Sequence, residues 1–213
     1  MKTKIFTSVA CFFLLNTLIA QEKIKTESNN NKTYVKANAI FLPVGVLNAG
    51  IEHQISLKYT IQGDVLISPW KSFASHPLQY YSVSFEGRYY FKEAFKHWFI
   101  GANIAASTYK VNKWNYWNDD FYYDEETETI TPYINSNLYQ KGFSFLIGVT
   151  GGYQFNLSEN WNLEIYATVG NSQDFYKGYD RVSGDRYDSA TNWNKSGEWI
   201  PYRGGIMISY KIK

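Results

Sequence analysis

The stretch Lys141–Val169 constrains the fold most, because it alternates apolar with small or polar residues over two segments joined by a polar turn at 157–160. Side chains of a β-strand point alternately to the two faces of a sheet. Each segment therefore predicts a strand with one apolar face and one face of glycine, serine, asparagine and single charges. The apolar faces are Phe143, Phe145, Ile147, Val149, Gly151, Tyr153 and Phe155, and then Trp161, Leu163, Ile165, Ala167 and Val169.

The distribution of residues on these faces favours an outer-membrane barrel. A soluble sandwich exposes a polar face rich in lysine, glutamate and threonine, whereas the polar face here is small and carries few charges. Membrane barrels have aromatic girdles at both interfaces and a polar interior, and about 9–11 tilted residues span the hydrocarbon. We therefore predict that the apolar faces point outward to lipid. The alternative is a soluble exported barrel that binds an apolar ligand and has the opposite orientation.

The N-terminus predicts export. Lys2 and Lys4 precede the apolar run Ile5–Ala20, whose last residues resemble a signal-peptidase site. We predict a signal peptide over 1–20, a disordered periplasmic lead-in over 21–33 and a barrel over 34–213. The alternatives are an anchoring helix and a lipoprotein cleaved at Cys11. Because Cys11 is the single cysteine, the mature chain has neither a disulfide nor a thiol nucleophile.

Composition narrows the classes of partner. Loss of the two leader lysines reduces the 21 basic residues to 19, which equals the 19 acidic ones, so nucleic acid is not expected as a partner. Mean hydropathy is −0.38, and no apolar run after Ala20 approaches the roughly 18 residues of a membrane helix. Aromatic residues nevertheless make up 19% of the chain, with 7 Trp and 19 Tyr. That combination is typical of a membrane barrel.

Alternation along the rest of the chain predicts an all-β protein, an eight-stranded antiparallel up-and-down transmembrane β-barrel. Closure would leave no sheet edge exposed in lipid. Residues Pro69–Gln79 are predicted to form a surface loop, and longer loops are predicted near 110–140 and 177–198. The strands are expected at about 34–41, 49–55, 59–68, 80–91, 98–107, 141–156, 161–170 and 205–212.

Charged residues fall on the inward parity of several strands. The interior of an eight-stranded barrel is just wide enough to be filled by side chains, and buried charges are tolerated when they are paired. We predict an interior salt-bridge plug without a sizeable pore; the alternative is a gated ion path or proton relay. The predicted set is Lys36, Glu52, Asp64, Glu86, Arg88, Glu164 and Arg203, with Lys211 at the end of the last strand.

No catalytic motif accompanies these charges. Glu52, Asp64 and Glu86 could converge for acid–base chemistry, but none of the three histidines is predicted to share their space. His53 is expected outward, His76 in a loop and His97 in a turn. We therefore expect no enzyme, no cofactor and no metal, with a barrel-embedded lipid-modifying enzyme as the alternative.

The loop near 110–140 is rich in aromatic and acidic residues. Exposed aromatic rings stack on sugars, so Trp114, Trp117, Tyr122 and Tyr123 are candidate binding residues for an extracellular glycan or protein. The neighbouring acids lack the spacing of a calcium-binding loop. The alternative is a hairpin whose aromatic residues pack on each other and on lipopolysaccharide.

Several short segments, in this order and spacing, resemble a family of small Gram-negative outer-membrane β-barrels of unknown function. The resemblance implies export, contact with outer-membrane lipid and lipopolysaccharide, insertion by the barrel-assembly machinery and no established activity. The C-terminus departs from the family pattern, because residues 210–213 lack a terminal aromatic. The matching residues are Lys36, Asn38, Gly50, Glu52, Pro69, Trp70, Glu86, Arg88, Tyr89, Tyr90, Gly152, Tyr153, Trp161, Leu163 and Glu164.

Overall fold

The computed structural model describes residues 31–112, 120–124, 128–133, 135–188, 190 and 192–213. The predicted signal peptide and the lead-in as far as residue 30 lie outside the described residues. Short 3-10 turns cover Leu42–Val44 and Asn135–Asn137. The strands are β1 (Thr33–Asn38), β2 (Leu47–Gln54), β3 (Tyr59–Phe73), β4 (His76–Tyr90), β5 (His97–Val111), β6 (Asp120–Asp124), β7 (Thr129–Tyr133), β8 (Leu138–Asn156), β9 (Trp161–Asp180) and β10 (Asn194–Lys211).

Eight of these strands close into a barrel in the order β1-β10-β9-β8-β5-β4-β3-β2, and β6 and β7 form a separate two-stranded sheet. Every pairing in the ring is antiparallel, and β1 closes it against β10. The prediction of eight antiparallel strands is confirmed. Three short connections and both ends of the described barrel lie at one end, which we name the turn end. The connection that carries β6 and β7 lies at the opposite end, the loop end.

The apolar faces of the strands point outward and the polar faces point inward. Phe145 is 57% exposed and Ile165 47% exposed, whereas Glu86 is 3% exposed and Arg88 2% exposed. The predicted parity therefore holds in β4, β8 and β9. The arrangement is the reverse of an ordinary soluble domain, whose charged side chains lie outside.

The strands are longer than predicted at the loop end. The prediction of a surface loop over Pro69–Gln79 is wrong, because β3 and β4 continue through it to a tight turn at 74–75. Strands also extend into both predicted long loops. β5 continues to Val111 and β8 begins at Leu138, while β9 continues to Asp180 and β10 begins at Asn194. The outward-facing apolar residues form a band around the middle of the barrel, which we name the apolar band. Between this band and the loop end, both faces of the strands carry polar and aromatic residues. Backbone pairing therefore continues where apolar and polar residues no longer alternate.

β1 and β2 are much shorter than the other six strands of the barrel. β1 pairs with β10 only between Tyr34–Asn38 and Met207–Lys211. Among the described residues, no strand pairs with the other edge of β10 between Asn194 and Gly205. The wall is therefore complete around the turn end and lower on one side at the loop end.

Candidate functional site

Seven charged side chains occupy the middle of the lumen, where six strands bring them together. They come from β1, β2, β3, β4, β9 and β10, and all lie at positions predicted to point inward. Their exposed side-chain fractions are at most 6%. We name these residues the charge cluster: Lys36, Glu52, Asp64, Glu86, Arg88, Glu164 and Arg203.

Two cations and two carboxylates form one half of the charge cluster. Lys36 Nζ lies 2.5 Å from Glu52 Oε2 and also contacts Glu164 Oε2. Arg88 Nη1 lies 2.8 Å from the same Glu164 oxygen and 3.2 Å from Glu52 Oε2. Each carboxylate therefore bridges both cations. Charge-assisted hydrogen bonds of this kind are the strongest a protein makes.

Arg203 organises the other half of the cluster through contacts with Asp64 and Glu86. Arg88 Nε lies 2.5 Å from Glu86 Oε1, so Glu86 links the two halves. The register of β10 against β9 shifts between Pro201 and Arg203. A β-bulge re-aims side chains, and it lets both Arg203 and its neighbour Tyr202 reach inward. Sequence parity alone does not reveal this shift.

Hydroxyl groups add hydrogen bonds to two of the carboxylates, Glu52 and Glu86, whereas Glu164 Oε1 is buried with no hydrogen-bond partner among the described residues. Thr60 Oγ1 donates to Glu52 Oε1 at 2.5 Å, and the Tyr90 hydroxyl lies 2.9 Å from the same atom. Thr150 Oγ1 donates to Glu86 Oε2 at 2.7 Å. A buried carboxylate held by cations and hydroxyl donors is suited to cross-linking strands and poorly suited to accepting a substrate proton.

An apolar layer lies between the charge cluster and the turn end. The connection between β4 and β5 folds inward, where Phe95 is 1% exposed. Its ring centroid lies 4.5 Å from that of Tyr34 and 6.0 Å from that of Tyr90. The Arg88 guanidinium lies 4.4 Å from the centroid of Phe99. This layer fills the lumen toward the turn end with packed rings, and the sequence pattern, which predicts only a polar turn here, does not reveal it.

A cavity of about 280 Å³ lies on the loop-end side of the cluster, lined by β4, β5, β8, β9 and β10. We name it the vestibule. Tyr80, Tyr109 and Tyr202 contribute rings, and Asp174 accepts hydrogen bonds from Tyr109 at 3.3 Å and Ser172 at 2.9 Å. Tyrosines at inward positions near strand ends are the signal that could have predicted it.

The three histidines are not brought to the carboxylates of the charge cluster. His53 Nδ1 lies 2.8 Å from Thr33 Oγ1, and His97 Nδ1 lies 2.8 Å from the Tyr153 hydroxyl. Both contacts are near the turn end. His76, predicted in a loop, is the first residue of β4. The described hydrogen bonds of His53 and His97 therefore go to Thr33 and Tyr153 and not to Glu52, Asp64 or Glu86, and His76 lies at the loop-end start of β4.

The candidate aromatic binding residues lie in the connection between β5 and β8. Tyr122 and Tyr123 belong to β6, whose backbone pairs with β7. Trp114 and Trp117 lie outside the described residues. The backbone thus forms a hairpin at this position, and the four aromatic side chains remain predictions.

A comparison with known protein families identifies the family of this chain. The model of the family described as "Protein of unknown function (DUF3575)" matches residues 10–212. The chain belongs to the DUF3575 family. No curated protein and no solved structure matches it. The function of this DUF3575 protein is therefore inferred from its own residues.

Over the described ranges, no helix has the length and apolar character needed to cross a membrane.

Proposed function

We propose that this protein is an integral outer-membrane β-barrel without a catalytic role. The charge cluster and the apolar layer beneath it close its lumen. Its work is structural, or it recognises a glycan or protein at the cell surface through the loop end. Outer-membrane lipid and lipopolysaccharide surround it, and the barrel-assembly machinery inserts it.

The observation that carries the proposal is the apolar outer surface. On β8, Phe145, Ile147 and Val149 are 57%, 64% and 64% exposed. Their register partners Ala106, Ile104 and Ala102 on β5 are also outward and apolar. Soluble monomers rarely expose contiguous apolar patches beyond a few hundred Å². Lipid removes such a surface from water, as it does for membrane barrels in general.

Aromatic side chains around the turn end support the same environment. Trp98 packs against Tyr153 with ring centroids 5.1 Å apart, and Trp161 against Tyr210 at 4.8 Å. These rings point outward at the end of the apolar band. Tryptophan and tyrosine concentrate at membrane–water interfaces because their rings are apolar and their polar atoms reach water.

The closed lumen argues against a pore and against the enzyme alternative. Glu52, Asp64 and Glu86 each contact at least one buried cation, which leaves no free carboxylate among these three for catalysis. Planar-bilayer recordings of the purified protein should show no large, steady conductance. Such a conductance, or turnover of a lipid that is abolished in Glu86→Gln, would refute this part of the proposal.

The loop end offers the recognition surface, and β6–β7 can be removed without cutting the barrel. Asn112 Nδ2 donates to Ser136 O at 3.3 Å and to Leu138 O at 2.7 Å, so the ends of this connection are close. Replacing 113–134 by a short glycine–serine linker should leave the barrel folded. Loss of glycan or cell adhesion in that variant alone would support recognition by the hairpin; unchanged adhesion would favour a structural role.

Fractionation with a pair of variants tests the membrane assignment. We expect the wild-type protein to require detergent for extraction and to migrate differently on a gel before and after heating. Ile147→Arg places a charge in the apolar band, where it should cost about 2–4 kcal/mol at the bilayer midplane and reduce insertion. Glu159→Arg, in an exposed turn-end connection, is the matched control. Release without detergent, or better solubility of Ile147→Arg, would overturn the proposal.

A further inference from the structure

Three lysines lie side by side on the outer face near the loop end. Lys110 of β5 pairs directly with Lys141 of β8, and Lys141 pairs directly with Lys177 of β9. Side chains at directly opposite positions have Cβ atoms about 5 Å apart, and like charges there are destabilising. We name these three residues the lysine row. A group of opposite charge beside the row would relieve this repulsion.

The described part of the chain does not supply that charge. No ion pair joins a residue of the lysine row to a described carboxylate. Asp174 and Glu198 line the vestibule on the opposite face of the sheet, and Asp188, which accepts a hydrogen bond from Gly178 N, forms its ion pair with Arg186. Outward positions of β5, β8 and β9 carry no aspartate or glutamate.

Aromatic rings flank the lysine row, with Tyr139 on its loop-end side and Phe143 and Phe175 on the side of the apolar band. Lys110 Nζ lies 4.3 Å from the ring centroid of Tyr139, and Lys177 Nζ lies 4.9 Å from that of Trp193. Next to them, Phe143 stacks on Phe175 at 5.1 Å and meets Trp193 at 5.4 Å. Ammonium groups above exposed rings, at the edge of an apolar surface, match the boundary between acyl chains and polar headgroups.

We propose that the lysine row binds a phosphate group on the headgroup of an outer-leaflet lipid, whose acyl chains lie along β8. Lysine is a common phosphate ligand, and clusters of basic residues beside apolar surface attract anionic lipid. Lys195, whose Nζ lies 5.8 Å from the ring centroid of Phe175, adds a fourth cation beside the site. This inference rests on the proposed membrane location, because the outer face must contact lipid.

The experiment uses the full chain refolded in nonionic detergent micelles, with diphosphorylated lipid A as the probe. Bound lipid is counted by native mass spectrometry over a titration. The row variant carries Lys110→Gln, Lys141→Gln and Lys177→Gln. The control carries three changes toward the turn end: Lys58→Gln, Lys92→Gln and Lys211→Gln. Gel migration before and after heating verifies that each variant is folded.

We expect wild type and control to bind with the same dissociation constant and the row variant to bind roughly 100-fold more weakly, since each lysine near an anionic surface contributes about fivefold. Equal binding by the row variant, or by lipid A stripped of both phosphates, would overturn the inference. Competition by inorganic phosphate at the lipid's own concentration would identify a soluble-anion site instead and also overturn it. A wild-type chain that is soluble without detergent would overturn both this inference and the membrane proposal. A folded chain that requires detergent, but binds lipid A equally well with and without its phosphates, would overturn this inference alone.

Discussion

Replacing Lys36 by methionine should destabilise the barrel strongly. Lys36 Nζ contacts Glu52, Glu164 and, at 3.1 Å, Gln62 Oε1, and all these atoms are buried. The charge cluster holds three cations and four carboxylates, so its net charge changes from −1 to −2 when the lysine is lost. Removing one partner of a buried ion pair costs about 3–5 kcal/mol, because the remaining charge is left uncompensated. We expect a loss of unfolding free energy in that range.

The assay is urea unfolding of protein refolded into phosphatidylcholine vesicles, followed by tryptophan fluorescence. Glu164→Gln is measured alone and combined with Lys36→Met, and the double variant should lose about 1–3 kcal/mol less than the sum of the single variants. Lys211→Met, at an inward position without a described ion pair, should change stability by less than about 0.5 kcal/mol. A Lys36→Met variant as stable as the Lys211→Met control, or strictly additive effects, would refute the interpretation of the cluster as a cross-link.

Three further predictions concern other parts of the barrel. Phe95→Ala removes one ring from the apolar layer and should cost about 3–5 kcal/mol of unfolding free energy in the same assay; a cost below 1 kcal/mol would mean that the layer is not tightly packed. Gly205 has a φ of 144°, and an added Cβ would lie 2.4 Å from Asn38 Nδ2. Gly205→Ala should therefore cost roughly 1–3 kcal/mol of unfolding free energy. Gly151→Ala, whose added Cβ would have no atom within 4 Å, should be nearly neutral. A hydrogen bond from the neighbouring Lys96 holds the pKa of Glu93 below its ordinary value of 4.5. The resulting stabilisation is complete above the unfolded-state pKa and is lost as pH falls through the lower folded-state pKa, so protection of amides 91–96, measured relative to their intrinsic exchange rates, should fall in acid, and Glu93→Gln should abolish that fall.

The sequence predicts well which face of each strand points outward, for a physical reason. Residues two apart share a face, so one apolar run such as Phe145, Ile147 and Val149 determines the direction of every side chain in its strand. The inward location of Glu86 and Arg88 follows from the same alternation. Their burial in the structure agrees with that expectation.

Strand length, partner choice and the bulge could not be predicted in the same way. At the loop end the two faces of β3 and β4 no longer differ in polarity, so alternation carries no signal through Pro69. The partners of Arg203 depend on a register shift in β10, and the packing of Phe95 depends on a turn that folds inward. Each of these follows from contacts between residues far apart in the chain, which a local pattern does not contain.

The short contact between β1 and β10 has a consequence for how the protein is made. Five residue pairs in register join the two ends of the ring, with further backbone hydrogen bonds at Thr33 and Ala39. The paired residues are more than 160 positions apart in the chain, as Tyr34 and Lys211 show. Contacts between such distant residues form late, because the entropy of closing the intervening segment is lost before the contact compensates for it. We therefore expect the pairing of β1 with β10 to form last, and the barrel to stay open at this position while its other strands assemble.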